Sequence, residues 1–341
     1  MQDLLAAIRQ SACLLLFFAP LDALYSQQST ASWRDPSPHT VRFVTVDKGV
    51  RLEVLDWGGS GRPLVFLAGG GNTAHVFDDF APKLNAQFHV YGVTRRGFGA
   101  SGFSSSTKGV DQLRDDVLTV IEVLKLNQPV LVGHSIAGAE LTSAAASRPD
   151  RVAGLIYLEA GYPYAYYDGD GPTMMAFQNV RGPRGPSPGA SDLASFRSLQ
   201  DWGERVNGFR IPEGELRQMW ISTSDGRPSR PRDFPGSQML MKIVSETKLR
   251  SEIPVPALAI FAIPHVPEKW VGESGDAGTR AAASAYFATL DGLTERQAEA
   301  FARGVASSRV VRLGGAHYIF LSNGANVLRE MSGFLADLKG H

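Results

Sequence analysis

Short runs of apolar residues recur along this chain, separated by longer segments with helical spacing. The short runs are LVFLA (64–68), HVYGV (89–93), PVLVG (129–133), VAGLIYLEA (152–160), PALAIFAI (256–263) and SRVVRL (308–313). LVFLA, HVYGV and PVLVG are continuous apolar runs that predict strands buried on both faces, and the other three runs predict further strands. Two earlier segments, VRFVTV (41–46) and RLEVLDW (51–57), flank Asp47-Lys48-Gly49 and predict a hairpin.

The longer segments carry apolar residues at intervals of three and four. Residues 111–126 repeat them as an amphipathic helix does, and residues 325–338 form a second such pattern. AGAELTSAAASR (137–148) is rich in small residues, which suits a helix that packs closely on a sheet. Strands that alternate with helices predict an α/β fold with a mostly parallel sheet covered by helices on both faces.

The composition and spacing of residues change between positions 161 and 252, where Gly, Pro, Arg and Tyr are frequent and helical patterns are short. We interpret this stretch as a helical cap inserted into a core formed by residues 41–160 and 253–341. Its aromatic and methionine side chains either line a pocket for an acyl or aromatic group or form the cap's own small core. They are YPYAYYD (162–168), Met174, Met175, Phe177, Trp202, Met219 and Trp220.

The N-terminus has the pattern of a signal peptide. An apolar stretch, ACLLLFFAPLDAL, is too short to span a bilayer and is followed by small and polar residues. We predict a signal peptide over residues 1–26, a polar tether over 27–40, and a secreted or periplasmic protein without a stable membrane span after cleavage. The alternative is an N-terminal helix. Cys13, the only cysteine, lies in this segment, so the mature chain has no disulfide or cysteine metal site.

The charge balance argues against polyanionic partners. The 341 residues carry 34 basic and 34 acidic side chains, and the pI is near 7.1, so neither a nucleic-acid partner nor an anionic membrane surface is predicted. We therefore expect a small-molecule substrate rather than a nucleic acid or an anionic membrane surface.

The turn GHSIAG (133–138) is the strongest chemical signal, because it joins a buried strand to the small-residue helix. In that setting a serine is held on a strained turn, and its neighbours two before and two after must be small. Gly133 and Ala137 meet this requirement. The sequence therefore predicts Ser135 as a nucleophile, with His134 packed beside the turn because adjacent side chains cannot form the nucleophile–base geometry.

A serine nucleophile needs a base and an acid. His317 follows the last predicted strand among small residues, in LGGAHYIF, and is the candidate base. Glu159 ends the strand after the nucleophile, in apolar company, where a buried carboxylate needs a charged partner such as an imidazolium. Glu268, close to the end of the later strand, is the alternative acid.

The glycine run in LAGGGNTAHVF (67–77) follows a buried strand and predicts an oxyanion hole. Its backbone can approach a substrate closely, so the N–H groups of Gly70 and Ile136 are the candidate donors. A flexible turn is the alternative. A second glycine motif, Gly97 to Gly102, matches G-x-G-x-x-G, but no helix opens directly on it. We interpret it as a structural turn, not a nucleotide site.

LAGGG, TRRGFGASG, GHSIAG, YLEA and GGAHY, in this order, resemble the α/β-hydrolase fold family over residues 41–339. The resemblance implies an eight-stranded sheet, Ser135 as nucleophile, His317 as base, and Gly70 and Ile136 as oxyanion donors. Two positions depart from the family pattern. Ala68 replaces a histidine common before the oxyanion glycine, and the usual acid position after the later strand lacks a carboxylate. Dehalogenases of the family also place their acid after the earlier strand, but their nucleophile is Asp.

The sequence therefore predicts a serine hydrolase that cleaves a carboxylic ester, or an amide or lactone, of an apolar or aromatic small molecule. No metal or organic cofactor is required for this chemistry. The same residues would also serve peptide cleavage, C–C bond hydrolysis or perhydrolysis. A ligand-binding protein on a hydrolase scaffold is the non-catalytic alternative.

Overall fold

The computed structural model describes residues 33–104, 109–245 and 249–338. The predicted signal peptide and Cys13 lie outside the described residues. Ten strands are present in the described ranges, and their bounds are β1 Thr40–Asp47, β2 Val50–Gly58, β3 Pro63–Leu67, β4 His89–Val93, β5 Val130–His134, β6 Gly154–Leu158, β7 Trp220–Ser222, β8 Pro228–Pro231, β9 Ala257–His265 and β10 Ser308–Gly315.

The described α-helices follow the strands in the expected alternation. Their bounds are α1 Val110–Val123, α2 Ala137–Ser147, α3 Met174–Gln178, α4 Phe196–Asn207, α5 Glu213–Met219, α6 Ser237–Ser245, α7 Lys269–Glu273, α8 Ala277–Gly304, α9 Ile319–Ser322 and α10 Gly324–Asp337. Short 3-10 turns lie at Ala74–Phe77, Ala81–Leu84, Pro149–Arg151 and Asp192–Ala194. In the described part of the chain, no helix is both long enough and apolar enough to cross a membrane.

Eight strands form one sheet in the order β1-β2-β4-β3-β5-β6-β9-β10, and β7 pairs with β8 in a separate small sheet. The β1–β2 and β2–β4 pairs are antiparallel, whereas the remaining neighbours in the large sheet are parallel. This confirms the α/β-hydrolase fold with a mostly parallel eight-stranded sheet. The described chain between β6 and β9 contributes no strand to this sheet, although β6 and β9 are neighbours in it.

Both faces of the central strands of the sheet are buried, which explains their continuous apolar runs. In β6, Leu155 and Tyr157 belong to one core cluster, with residues of α1, α2 and α8. Ile156 and Leu158 belong to the other cluster, with residues of the 74–84 turns, α9 and α10. Because side chains alternate across a strand, a strand covered on both faces requires an apolar residue at every position.

Two predicted elements end earlier in the structure than their apolar pattern. The helix predicted over 111–126 ends at Val123, and Lys125 then takes a left-handed backbone with φ +52°. The strand predicted over 152–160 ends at Leu158 because Glu159 has φ +50°. Left-handed conformations are incompatible with continued helix or strand, and the apolar pattern carries no information about them.

The G-x-G-x-x-G segment forms a closed turn. The Gly97 N–H donates to the Gly102 carbonyl at 2.9 Å, and the Gly102 N–H donates to the Arg51 carbonyl in β2 at 2.8 Å. Among the described residues, the next helix after this turn is α1, which begins at Val110. The turn therefore ties β2 to the segment after β4, as the structural interpretation predicts.

Candidate active site

Ser135 lies between β5 and α2 in a left-handed backbone conformation, with φ +53°. A non-glycine residue in this region carries backbone strain, which commonly marks a functional site. The small neighbours are required by close packing. A Cβ at Gly133 would lie 2.6 Å from a methyl carbon of Leu141 and 3.2 Å from the Ala137 Cβ. The strand and the helix can therefore meet this closely only if residue 133 has no side chain.

His317 lies between Ser135 and Glu159. Its Nε2 is 3.0 Å from Ser135 Oγ, and its Nδ1 is 3.1 Å from Glu159 Oε2. An ionised carboxylate can only accept a hydrogen bond, so Nδ1 carries the proton of the neutral imidazole and Nε2 accepts from the serine hydroxyl. This is the geometry of a nucleophile, a base and an orienting acid.

Glu159 is fully buried and has four groups directed at its carboxylate. The Ala262 N–H donates to Oε1, while the Tyr162 hydroxyl donates to Oε2 at 2.7 Å, beside His317. The fourth group is His265, whose Nε2 lies 3.6 Å from Oε2. Burial alone would raise the pKa of Glu159, but the neighbouring imidazoles of His265 and His317 hold the pKa below its usual range. The carboxylate is therefore ionised.

His265 is a second imidazole on this carboxylate, and sequence reasoning gave it no role. Its Nδ1 lies 2.7 Å from Asp291 Oδ1 in α8, so both ring nitrogens face carboxylates. Burial would lower the pKa of His265, but Asp291 and Glu159 raise it to about 9. His265 is therefore an imidazolium at neutral pH. The sequence shows His265 near the end of a predicted strand, but it does not show that β9 lies beside β6. Asp291 lies within a helix and carries no motif.

His134 is packed beside the turn, as predicted. Its Nε2 donates to the backbone carbonyl of His317 at 3.0 Å, since a carbonyl can only accept. Burial and the neighbouring His317 lower the pKa of His134 to about 3, which keeps this ring neutral. His134 therefore holds the backbone of the His317 loop and contributes no charge to the site.

Glu268 lies at the N-terminal end of α7 and lines the same cavity as Ser135 and His317. Burial raises the pKa of its carboxyl group. In the described structure the hydrogen-bond partner of His317 Nδ1 is Glu159, not Glu268. Of the two candidate acids, Glu159 therefore contacts the imidazole of His317, and Glu268 does not.

A cavity of about 210 Å³ opens over Ser135, and both predicted oxyanion residues line it. Gly70 belongs to the loop after β3. Ile136 immediately precedes α2, at a helix end where backbone N–H groups have no intrahelical partner. The Tyr164 side chain also lines this cavity, and burial raises the pKa of its hydroxyl group.

Some of the aromatic and methionine side chains between β6 and β9 line the cavity, and others pack in a core. Tyr162, Tyr164, Met174 and Phe177 line the cavity. By contrast, Trp202, Met219 and Trp220 pack in the core cluster that contains α9 and α10, and Met175 is exposed. Further lining comes from elements after β9 that sequence reasoning did not connect with the site. These residues are Trp270, Val271, Ala283, Tyr286, Phe287 and Leu290.

Comparison with known proteins agrees with the fold and the order of these elements. A model described as "Alpha/beta hydrolase family" matches residues 64–330. The chain belongs to the α/β-hydrolase family. A thermophilic esterase from Thermogutta terrifontis is similar in structure, with a TM-score of 0.56, 19% identity, and coverage of 88% of this chain and 98% of that one. At this identity the likeness extends to the fold alone.

Two curated relatives are similar in sequence over part of their length. A non-heme chloroperoxidase of Streptomyces lividans is 32% identical over 188 residues, which cover 52% of this chain and 66% of the relative. A bifunctional esterase/perhydrolase of Acinetobacter calcoaceticus is 32% identical over 126 residues, covering 36% and 45%. The chain thus spans less than two thirds of the length of these relatives. The family and these relatives support a hydrolase.

Proposed function

We propose that this protein is a serine hydrolase that cleaves carboxylic esters through Ser135, His317 and Glu159. The observation that carries the proposal is the unbroken contact from the Ser135 hydroxyl to His317 Nε2, and from His317 Nδ1 to the buried carboxylate of Glu159. Amides and lactones contain the same reacting carbonyl and are the next candidates.

In this mechanism the Ser135 oxygen attacks the carbonyl carbon while His317 Nε2 takes the hydroxyl proton. The tetrahedral intermediate collapses when the bond to the alkoxide breaks, and His317 returns the proton to the departing alcohol. A water molecule then attacks the acyl-enzyme by the same route, which releases the acid and restores Ser135. Glu159, ionised and hydrogen-bonded to Nδ1, stabilises the imidazolium formed in both steps.

The negative charge of the tetrahedral intermediate forms on the former carbonyl oxygen. We assign the N–H groups of Gly70 and Ile136 to this oxygen, because both residues line the cavity beside Ser135. Fixed donors at that position stabilise charge that develops only in the transition state, which lowers the barrier rather than merely tightening substrate binding.

The cavity favours a neutral apolar or aromatic acyl group. Aromatic and aliphatic side chains dominate its lining, and among the described lining residues there is no lysine or arginine to bind an anionic substrate. We propose that residues 161–252 act as a cap that sets this selectivity, since Tyr162, Tyr164, Met174 and Phe177 come from that segment.

Hydrolysis of p-nitrophenyl esters of increasing acyl length tests the proposal, with a fluorophosphonate probe as the label for an activated serine. We expect a burst of p-nitrophenol equal to the enzyme concentration and stoichiometric labelling at Ser135. Turnover without labelling would move the chemistry to another residue. The absence of both would contradict a serine hydrolase and favour the ligand-binding alternative. Labelling without ester turnover would direct the search to peptides and C–C bonds.

Perhydrolysis is the second candidate, because the curated relatives include a non-heme chloroperoxidase and an esterase/perhydrolase. In that reaction hydrogen peroxide replaces water as the nucleophile toward the acyl-enzyme and a peracid leaves. An assay with an acyl ester, added peroxide and bromide distinguishes hydrolysis from perhydrolysis. Bromination of monochlorodimedone measures the peracid that forms. Peracid formation that saturates with peroxide would establish perhydrolysis, and unchanged acid formation would exclude it.

We also propose that residues 1–26 are removed on export. The support is the apolar stretch followed by small and polar residues. N-terminal sequencing of the protein recovered from the periplasm or medium is the test. A mature chain that begins near residue 27 supports export, and an intact Met1 contradicts cleavage.

A further inference from the structure

A second cluster of histidines and carboxylates lies outside the active-site cavity. It consists of Asp35, His39, His75 and Asp78, and one potential ligand atom from each side chain lies within 4.8 Å of all the others. Asp35 and His39 come from the segment before β1. His75 and Asp78 lie on the turn that follows the glycine loop of residues 69–71. None of the four lines the cavity over Ser135.

The atoms in this cluster have the spacing of ligands around a small cation. His75 Nδ1 lies 3.0 Å from Asp78 Oδ2 and 3.4 Å from Asp35 Oδ2, and His39 Nδ1 lies 2.9 Å from Asp78 Oδ1. Tetrahedral zinc with bonds of about 2.0–2.1 Å separates its ligand atoms by roughly 3.3 Å. The two contacts of His75 lie on both sides of that value, and all four ligand atoms lie within 4.8 Å of one another, so the side chains would draw closer together on binding the ion.

A carboxylate lies on the far side of His75, within a short movement of hydrogen-bond distance. Its Nε2 lies 3.6 Å from Glu53 Oε1, and Glu53 in turn accepts from the Thr94 hydroxyl at 2.7 Å. Metal-ligating histidines almost always donate their other N–H to a carboxylate, carbonyl or water, which fixes the ring and its tautomer. Glu53 supplies such a carboxylate and is itself buried.

The remaining neighbours fix the Asp78 carboxylate. The Trp57 indole N–H donates to Oδ1 at 3.0 Å and the Ser37 hydroxyl donates to the same oxygen at 2.7 Å.

Helix α5 approaches the cluster from another side. A Cβ at Gly214 would lie 2.6 Å from Asp35 Oδ2 and 3.3 Å from His75 Nδ1. A side chain at position 214 would therefore intrude among the ligand atoms, and the glycine keeps that space open.

From this geometry we propose that Asp35, His39, His75 and Asp78 bind one divalent transition-metal ion, with zinc as the best match. Two imidazole nitrogens and two carboxylate oxygens suit zinc, whereas calcium and magnesium prefer all-oxygen sites. The two ligand carboxylates, Asp35 and Asp78, would balance the 2+ charge of the ion. The ion joins the segment before β1 to the turn after the glycine loop, so its role is structural and separate from the proposed hydrolysis.

Zinc binding to the full chain, produced without a histidine tag and stripped with a chelator, is the direct test. Competition with a chromogenic zinc chelator gives stoichiometry and affinity, and thermal melting gives a second readout. We expect one tightly bound zinc per chain and, at a free zinc concentration about a hundred times Kd, a rise in Tm of about 4 °C. Equal magnesium should leave Tm unchanged.

Variants locate the binding. His39→Gln and Asp35→Asn should each weaken zinc binding by more than about 100-fold, and Glu53→Gln by about 10- to 100-fold. The matched control is His89→Gln, which breaks a histidine–aspartate contact to Asp56 elsewhere on the sheet and should bind zinc as the unaltered chain does. Circular dichroism of the metal-free variants checks that each is folded.

Three outcomes would overturn the proposal. They are the absence of saturable zinc binding to the unaltered chain, unchanged binding in folded His39→Gln and Asp35→Asn, or an equal loss in His89→Gln. If either ligand variant fails to fold, the Tm of the unaltered chain decides. A Tm that rises with zinc but not with magnesium supports the site, and a Tm that does not rise with zinc contradicts it.

Discussion

The active site and the Asp35–His39–His75–Asp78 cluster contain the same kinds of side chain but differ in what the imidazoles face. In the active site the His317 side chain is 40% exposed, and one nitrogen faces a strained serine while the other faces a carboxylate. In the second cluster His39 and His75 are only 4% and 5% exposed, and carboxylates are the partners of His75 at both nitrogens.

The difference shows that a close histidine–carboxylate contact is not by itself a catalytic feature. Contacts near 3 Å occur in both places, but only one imidazole has a nucleophile and an open cavity on its second nitrogen. The reactive arrangement depends on the Ser135 backbone, which directs the hydroxyl toward His317. The arrangement in the second cluster brings nitrogen and carboxylate oxygen atoms close together and is suited to binding an ion.

Replacement of the nucleophile should have the largest effect. We expect Ser135→Ala to lower kcat for ester hydrolysis by at least about a thousandfold, because no covalent intermediate can form. The measurement is single-turnover hydrolysis of a p-nitrophenyl ester. Ser198→Ala in α4 is the matched control, and residual burst kinetics in Ser135→Ala would contradict the assigned nucleophile.

The next largest effect is expected when the two candidate acids are replaced one at a time. Glu159→Gln should lower kcat about a thousandfold or more, because an amide neither stabilises the imidazolium nor fixes the tautomer as a carboxylate does. Glu268→Gln, in the same cavity, should change kcat by less than about tenfold. A larger loss in Glu268→Gln than in Glu159→Gln would move the acid to the end of the later strand.

His265→Gln should affect stability and its pH dependence more than chemistry. Removal of one member of a buried charged network costs about 3 kcal/mol in the free energy of unfolding. The pKa of His265 is about 9 in the folded protein, above its ordinary value, so its contribution is full below about pH 6.5 and is lost as the pH rises through about 9.

Urea unfolding of both chains from pH 6 to pH 10 measures this contribution. The difference in unfolding free energy between the unaltered chain and His265→Gln should shrink toward high pH. A difference that stays constant over this range would show that the imidazolium charge is not what stabilises Glu159.

The smallest effect is expected at a more exposed histidine–aspartate pair, His89 with Asp56. His89 Nε2 lies 2.8 Å from Asp56 Oδ1, but the histidine side chain is 31% exposed. Such pairs contribute about 1 kcal/mol or less. His89→Gln should therefore shift the free energy of unfolding by no more than that amount and leave ester hydrolysis unchanged. A loss of activity would mean that this contact is coupled to the site.

The sequence predicted the sheet well because each central strand is covered on both faces, and short continuous apolar runs between turn residues are typical of such strands. It did not predict β7 and β8, since Trp220–Ser222 and Pro228–Pro231 are too short to show alternation. The candidate nucleophile and base could be located because Ser135 and His317 follow buried strands among small residues. His265 and Asp291 could not be assigned, because their roles depend on strand order and on a distant helix meeting one carboxylate.

The lining of the cavity also governs what happens after the bond is cleaved. An ester yields a carboxylic acid that ionises at neutral pH, and the described lining has no lysine or arginine. The imidazolium of His265 also lines the cavity, but the carboxylates of Glu159 and Asp291 already balance its charge. A newly formed anion in an apolar pocket is poorly solvated when it finds no free counter-charge. We expect the acid to leave quickly and to inhibit weakly as product accumulates.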